Sequence, residues 1–386
     1  KINRMIREWN VEAVSFPAWY RSLGEGIFHE VWGMAGMAEW FCESYNSSSS
    51  AKIIGENIYF LQGGKMVCMP QKIGKERREQ LIRALLMLTP EERLDQDFHE
   101  VYLLDGTRIT VFRNRMVKKD RECIIFRRYI IPCYTFEEQA RRGTVPPEST
   151  ELFRAMVAAG YNVVISGAVR SSKTTFLSTW QSYEDSSLEG VMIETDAEIP
   201  LHTLMPRAPI IQILADGAKL ERIIKNLLRS DADYFIMAEA RDGVALDTAV
   251  KLASKGTRRM KITFHSKEPR NFPYDAAAEI VKVYGGDIDY NARRIADSFD
   301  YIFHFIQLHD KSKKRLKGIY ELSYARGENP GIHVVPICEY DFIGDSWHWK
   351  NSISREKLEA AKEEDATACE RIARKMESLL KEGQGV

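Results

Sequence analysis

Between Asn162 and Thr175 a short β-branched run, Asn162-Val163-Val164-Ile165-Ser166, leads into Gly167-Ala168-Val169-Arg170-Ser171-Ser172 and then Lys173-Thr174-Thr175, which opens a segment of helical character. Strand, small-residue loop and helix in that order match the phosphate-binding P-loop, G-x-x-x-x-G-K-[ST]. In such a loop, backbone N–H groups and a helix N-terminus face a phosphate, a Lys neutralises its charge and a Thr hydroxyl holds Mg²⁺. Lys173 and Thr174 stand at the last two places, and Gly167, Ala168, Val169, Arg170, Ser171, Ser172, Lys173, Thr174 and Thr175 form the candidate nucleotide-binding run. One position departs from the pattern. Ser172 replaces the second Gly, keeping the backbone N–H but adding a Cβ where the chain must curl, and a Ser resists positive φ. That predicts weakened nucleotide binding. The loop by itself leaves two readings open: ATP or GTP binding, or a strand-to-helix turn of similar composition.

A P-loop enzyme also needs a carboxylate at the end of a neighbouring strand to organise Mg²⁺ and an attacking water. Two apolar strands end in acids here: Ile193-Glu194-Thr195-Asp196-Ala197-Glu198, and Tyr234-Phe235-Ile236-Met237-Ala238-Glu239-Ala240-Arg241-Asp242. A carboxylate there is costly unless it meets a cation. Mg²⁺ or Arg241 would meet it; the plain alternative is surface acids at strand ends. His265 closes a further β-rich run, Lys261-Ile262-Thr263-Phe264-His265. Taken alone it reads as structural, yet at the ligand-bearing edge of a sheet it could sense a terminal phosphate.

The elements that position these residues follow from the hydrophobic pattern. From Ser149 onward strands and helices alternate, with strands at 191–194, 210–214, 234–238 and 260–264 and helices at 149–159, 220–228 and 244–252. This predicts a mostly parallel, doubly wound α/β sheet with ligands at the carboxyl ends of its strands. Helical patches at 274–283 and 290–298 precede strands at 301–308, 318–324, 332–338 and 345–349, and an amphipathic packing helix spans 354–382. The basic turn Asp310-Lys311-Ser312-Lys313-Lys314-Arg315 reads as a solvated hairpin tip.

Upstream, residues 1–48 read as a helical N-terminal extension, with apolar residues at helical spacing from Phe28 to Phe41 and a loop at Ser47–Ser50. Its aromatics read as a packed cap rather than a partner-docking face. Residues 49–134 read as a smaller α+β domain: a hairpin from strands at 53–60 and 66–69 around Gly63-Gly64, a helix at 75–88, and strands at 101–104, 109–112 and 123–131. A short helix from Thr135 to Arg142 and the run Gly143-Thr144-Val145-Pro146-Pro147 make 135–148 the linker, before a P-loop domain over 149–386.

The 386 residues, 44% hydrophobic, are enough for two or three cores. The 55 basic and 55 acidic residues cancel, so a dedicated nucleic-acid binder is not expected. Cys42, Cys68, Cys123, Cys133, Cys338 and Cys369 are scattered without a C-x-x-C pair, which fits a reducing, cytosolic setting. No apolar run is long enough to span a bilayer and no signal peptide is expected.

Taken together, the ordered motifs over residues 30–345 resemble the secretion ATPases of type II and type IV secretion, tight-adherence pili and conjugation, including the CpaF-like subgroup. Glu194–Glu198 resembles that family's Asp box, Leu228-Arg229 with Asp233–Asp242 its Walker B region, and Gly256–His265 its His box. Asp105-Gly106-Thr107-Arg108 and Phe126-Arg127-Arg128-Tyr129 resemble its arginine motifs, and Gly143–Pro147 its connecting segment. The resemblance implies a homohexameric ATPase with a RecA-like domain and a smaller domain before it, nucleotide lying between them. It further implies an address at the cytoplasmic face of the inner membrane, platform or channel proteins as partners, and Mg²⁺ with ATP. Lys173 and Thr174 would hold phosphate and Mg²⁺, and Glu198 would position or deprotonate the attacking water. Glu239 would support Mg²⁺ through water, and His265 would couple phosphate state to the sheet. Glu194 and Arg241 would line the nucleotide, with Arg108, Arg127 and Arg113 reaching the terminal phosphate from the first domain; the alternative for Arg108 and Arg127 is surface residues in strands. Ser172, Thr195, Ala238 and Thr257 depart from the family pattern, and an extra residue lies between Arg241 and Gly256. Slow or partner-dependent hydrolysis is therefore expected, a poorly catalytic nucleotide-binding ring in the same machinery being the alternative.

Overall fold

A computed structural model describes residues 1–9, 11, 15–87, 96–103, 105–128, 134–310, 312–326 and 330–384. The chain divides into two compact units, Lys1–Ile130 and Ile131–Val386. Among the described residues no helix is long and apolar enough to cross a membrane.

The first unit opens with helices α1 (Ile2–Glu8) and α2 (Leu23–Val31), followed by 3₁₀ turns at Ala35–Phe41 and Glu43–Tyr45. Here the structure differs from the helical spacing expected from Phe28 to Phe41. Met34, Met37 and Trp40 recur every third residue, the period of a 3₁₀ helix, and Met37 and Trp40 are fully buried. Strands β1 (Ser50–Ile54), β2 (Asn57–Gln62) and β3 (Lys65–Lys72), helix α3 (Lys75–Leu86), and strands β4 (Phe98–Tyr102), β5 (Arg108–Phe112) and β6 (Cys123–Arg127) complete it. The sheet is antiparallel in the order β3-β2-β1-β6-β5-β4. What the sequence suggests as one strand over 53–60 is two, because Gly55 at φ +60° with Glu56 closes a two-residue turn that pairs Ile54 with Asn57. Alternate residues of β1, β5 and β6 are buried, and Leu81, Ile82, Leu85 and Leu86 of α3 join them in one core with Met37 and Trp40. The Cys133 position lies outside the described residues.

In the second unit, α4 (Phe136–Arg141) starts at a capping box in which the Thr135 hydroxyl accepts from Glu138 N–H. Phe136 and Val145, in the segment expected as a linker, are buried in this unit's core. There follow α5 (Thr150–Ala158), β7 (Val163–Gly167), α6 (Lys173–Ser182), β8 (Gly190–Glu194), α7 (Leu201–Leu204), β9 (Ile210–Leu214), α8 (Gly217–Leu227), β10 (Tyr234–Met237), α9 (Gly243–Ala253) and β11 (Lys261–Phe264). Helices α10 (Phe272–Tyr284) and α11 (Ile288–Ser298) precede β12 (Tyr301–Gln307), β13 (Lys314–Ala325), β14 (Gly331–Asp341), β15 (Ser346–Trp349) and α12 (Arg355–Gln384).

The sheet order is β15-β14-β13-β12-β7-β11-β10-β8-β9, parallel from β12 through β9 and antiparallel from β12 to β15. Every residue of β7, β8, β10 and β11 is buried, as a parallel sheet covered on both faces requires. One face packs on Phe153, Phe176, Trp180, Ile372 and Met376, the other on Leu220, Leu246, Ala249, Phe272 and Ile295. Two details depart from expectation. Arg315 is not part of a solvated tip: it is buried and paired with Asp345 at 3.1 Å. Helix α12 breaks at Asp365, whose φ of −154° is extended and whose carboxylate recaps the chain through Ala368 N–H.

Candidate functional site

The buried strand β7 delivers the chain to Gly167, which holds φ +142°. A Cβ there would sit 2.1 Å from the Phe305 carbonyl oxygen and 2.8 Å from Ser171 Oγ, so only glycine fits. The loop closes on itself through Ser171 Oγ, which donates to the Ala168 carbonyl at 2.8 Å. Arg170 at φ +64° and Ser172 at φ +77° are both left-handed, and Ser172 caps α6 in that conformation. The Ser that resists positive φ in principle adopts it here, at a cost of about 1–2 kcal/mol for a residue with a Cβ. Helix α6 starts at Lys173, so its unpaired N–H groups lie beside the loop. Val169 is exposed at the loop's crest.

Lys173 is only 7% exposed. Its Nζ donates to the Ala168 carbonyl at 2.8 Å and to His265 Nδ1 at 3.3 Å. Burial pushes its pKa down to about 8 against the opposing pull of Glu239 and Glu198. The same burial, with the Lys173 charge added, lowers the pKa of His265. Thr174, one residue on, donates from Oγ1 to Glu198 Oε2 at 3.5 Å.

Glu194 ends β8 and is 2% exposed; its Oε1 accepts from the N–H groups of Glu198 and Ile199 at 3.1 and 3.0 Å. Burial raises its pKa to about 7. Glu194 therefore holds the turn that presents Glu198, and what its carboxylate meets is backbone. Asp196, in the same turn, is buried.

Glu239 follows β10 in the left-handed region at φ +59°. Two contacts hold it there: its own N–H donates to Thr263 Oγ1 at 2.8 Å, and Ala240 N–H donates to the Thr263 carbonyl at 2.9 Å. Its Oε1 meets Arg241 Nη2 at 2.5 Å, while Oε2 is buried without a hydrogen-bond partner. Asp242 caps α9 through Ala245 N–H. Thr263 is a residue sequence reasoning missed, and its signal was a hydroxyl inside an otherwise apolar strand. Ser171 was named only as a loop residue, not as its clasp.

The structure thus gathers Lys173, Thr174, Glu198, Glu239, Arg241 and His265 at the carboxyl ends of β7, β8, β10 and β11, with Thr175 in the first turn of α6. Arg108 and Arg127 belong to the first unit, where they are cross-strand partners on β5 and β6 and Arg108 pairs with Glu100. Arg113 follows β5 in that unit.

Residues 85–272 match the family model described as "Type II/IV secretion system protein". Among solved structures the chain is similar to the Yersinia pseudotuberculosis ATPase DotB, at 14% identity, 95% of this chain, 89% of that one and a TM-score of 0.52. The Legionella pneumophila ATPase DotB aligns at 14% identity over 87% of this chain and 85% of its own, with a TM-score of 0.51. The pilus retraction motor PilT with bound ADP aligns at 12% identity over 87% and 86%, with a TM-score of 0.50. At these identities the likeness is one of fold. No curated protein gives a significant match. The architecture is RecA-like in the P-loop unit, with a smaller α+β domain and a helical extension before it.

Proposed function

We propose that this chain, a type II/IV secretion system protein over residues 85–272, is an ATPase whose homohexameric ring powers a bacterial secretion, pilus-assembly or conjugative transfer machine at the inner membrane. The observation that carries the reading is Lys173. A buried ammonium bound, among the described residues, to the Ala168 carbonyl and His265 Nδ1, at the start of a helix and under a glycine-anchored loop, is placed to exchange those contacts for phosphate oxygens. Glu198 then lies beside Thr174, where a carboxylate orients the attacking water and takes its proton.

Glu239 Oε2 and Thr174 Oγ1 are hard oxygen donors of the kind Mg²⁺ takes alongside phosphate. Thr174 would hold Mg²⁺ directly and Glu239 through water, and when bound it supplies charge neutralisation at the β- and γ-phosphates. Arg108 and Arg127 are assigned to the terminal phosphate, where charge spreads over equatorial oxygens during transfer. His265, bonded to Lys173, reports the occupant of the loop to β11. Platform or channel proteins of the machine are the partners proposed.

Steady-state ATP hydrolysis by the wild type, Lys173→Ala and Glu198→Gln tests this. Both substitutions are expected to lower turnover by about 100-fold or more while the fold is retained. Turnover in Lys173→Ala equal to wild type would refute the reading. The left-handed Ser172 favours a second reading, a ring that binds nucleotide and hydrolyses it poorly. Hydrolysis that emerges only in Ser172→Gly would select that one.

A further inference from the structure

Parallel pairing sets Ile236 of β10 opposite Lys261 of β11 and Met237 opposite Ile262. Ala238 N–H still reaches the Ile193 carbonyl of β8 at 3.0 Å, and Glu239 then turns out of the ladder at φ +59°. A residue with a Cβ stays in the left-handed region where its surroundings over-determine it, and such residues collect at sites that do chemistry. A backbone N–H turned out of a sheet also needs an acceptor. Thr263 of β11, 2% exposed, supplies two: its Oγ1 accepts the Glu239 N–H at 2.8 Å and its carbonyl accepts the Ala240 N–H at 2.9 Å.

Any residue at 263 offers the carbonyl, so what this side chain adds is the hydroxyl acceptor, which a serine shares and a valine of the same shape lacks. That hydroxyl serves one half of the site. It meets the chain at Glu239, whose Oε1 pairs with Arg241 and whose Oε2 is buried without a hydrogen-bond partner among the described residues. The other half hangs on β7, where Thr263 stands opposite Ile165 in register, and Lys173 bonds Ala168 and His265 without the hydroxyl. Loss of the hydroxyl therefore frees the backbone of Glu239 and leaves the lysine's contacts in place.

We propose that Thr263 is a positioning residue: by bonding the Glu239 N–H it fixes the left-handed turn that aims this carboxylate at a metal-bound water, and so governs how well Mg²⁺ is used rather than whether nucleotide binds. The inference rests on the nucleotide reading for its consequence and on the hydrogen-bond geometry for its means.

The first measurement is hydrogen–deuterium exchange of the full chain without nucleotide, read by mass spectrometry in peptides that contain Glu239. Thr263→Val is expected to speed exchange of one amide there by about tenfold or more, and Thr263→Ser to restore it. Exchange unmoved in Thr263→Val would overturn the bond whatever the protein does with ATP; if that variant does not fold, Thr263→Ala carries the same test. The second is ADP affinity in EDTA, together with kcat for ATP and the Mg²⁺ concentration that half-saturates it. Thr263→Val should keep ADP affinity in EDTA within about twofold, lose about tenfold in kcat and need about threefold more Mg²⁺ or beyond, with Thr263→Ser within about threefold of wild type throughout. A large loss of ADP affinity in EDTA, an unchanged kcat in a variant whose Glu239 amide has been freed, or a Thr263→Ser as impaired as Thr263→Val would overturn the positioning role. Wild type that neither binds nor hydrolyses nucleotide would instead refute the nucleotide reading, with exchange still deciding the hold on Glu239.

Discussion

Lys173 carries the most consequential charge in the site because the protein holds it away from water. Its ammonium titrates near pH 8, well below an ordinary lysine, and phosphate in contact with it favours the charged form. The sign follows: below about pH 7 the lysine is protonated with or without nucleotide, whereas above pH 8 binding must bring a proton in. Calorimetry of ADP binding in buffers of different ionisation enthalpy should show proton uptake that is larger at pH 8.5 than at pH 7. Lys173→Met should lose that rise, and uptake in the wild type that does not change with pH would contradict the assignment. That Lys173, Thr174, Glu198, Glu239 and His265 belong together is legible from motif order, since each motif ends a strand and parallel strands bring their ends to one edge. The duties of Glu194 and Thr263 are not legible in that way. Both act on backbone N–H groups, of the 198–199 turn and of Glu239, and which N–H a side chain meets depends on how the strands stack.

Elements in the second unit are held at their far ends by a buried ionic cluster. Glu184, just beyond α6, pairs with Lys261 at the start of β11 at 2.7 Å and with Arg259 at 2.6 Å. Lys261 is fully buried and packs its Nζ 4.5 Å from the centre of the Tyr234 ring. Arg259 also donates to the carbonyls of Val157 and Ala158 that close α5. The helix that carries Lys173 and the strand that leads to His265 thus share one anchor. Removing the carboxylate leaves a buried cation unpaired, so Glu184→Gln should lower unfolding free energy by about 3–5 kcal/mol. Urea denaturation checks this, and a loss below about 1 kcal/mol would mean that the cluster does not clamp the two elements. The alternation of strands and helices in this unit was readable because buried parallel strands are short apolar runs between amphipathic helices. The turn at Gly55, the 3₁₀ run at Ala35–Phe41 and the break at Asp365 were not. Each changes the backbone period without interrupting the apolar pattern.

At the scale of the whole molecule, the balanced charge gives no electrostatic reason for nucleic acid to be the ligand. In the proposed function the second unit carries the chemistry, and Arg108 and Arg127 of the first unit are proposed to take part in turnover within an assembly. Hydrolysis should then depend on assembly. The most direct test is specific ATPase activity against protein concentration, with mass measured by light scattering in the same samples. Activity that rises with a ring-sized species, is lost in Lys173→Ala and falls by about tenfold or more in Arg108→Ala is the predicted result. Specific activity that stays constant from dilute monomer upward, or that survives Lys173→Ala, would contradict it.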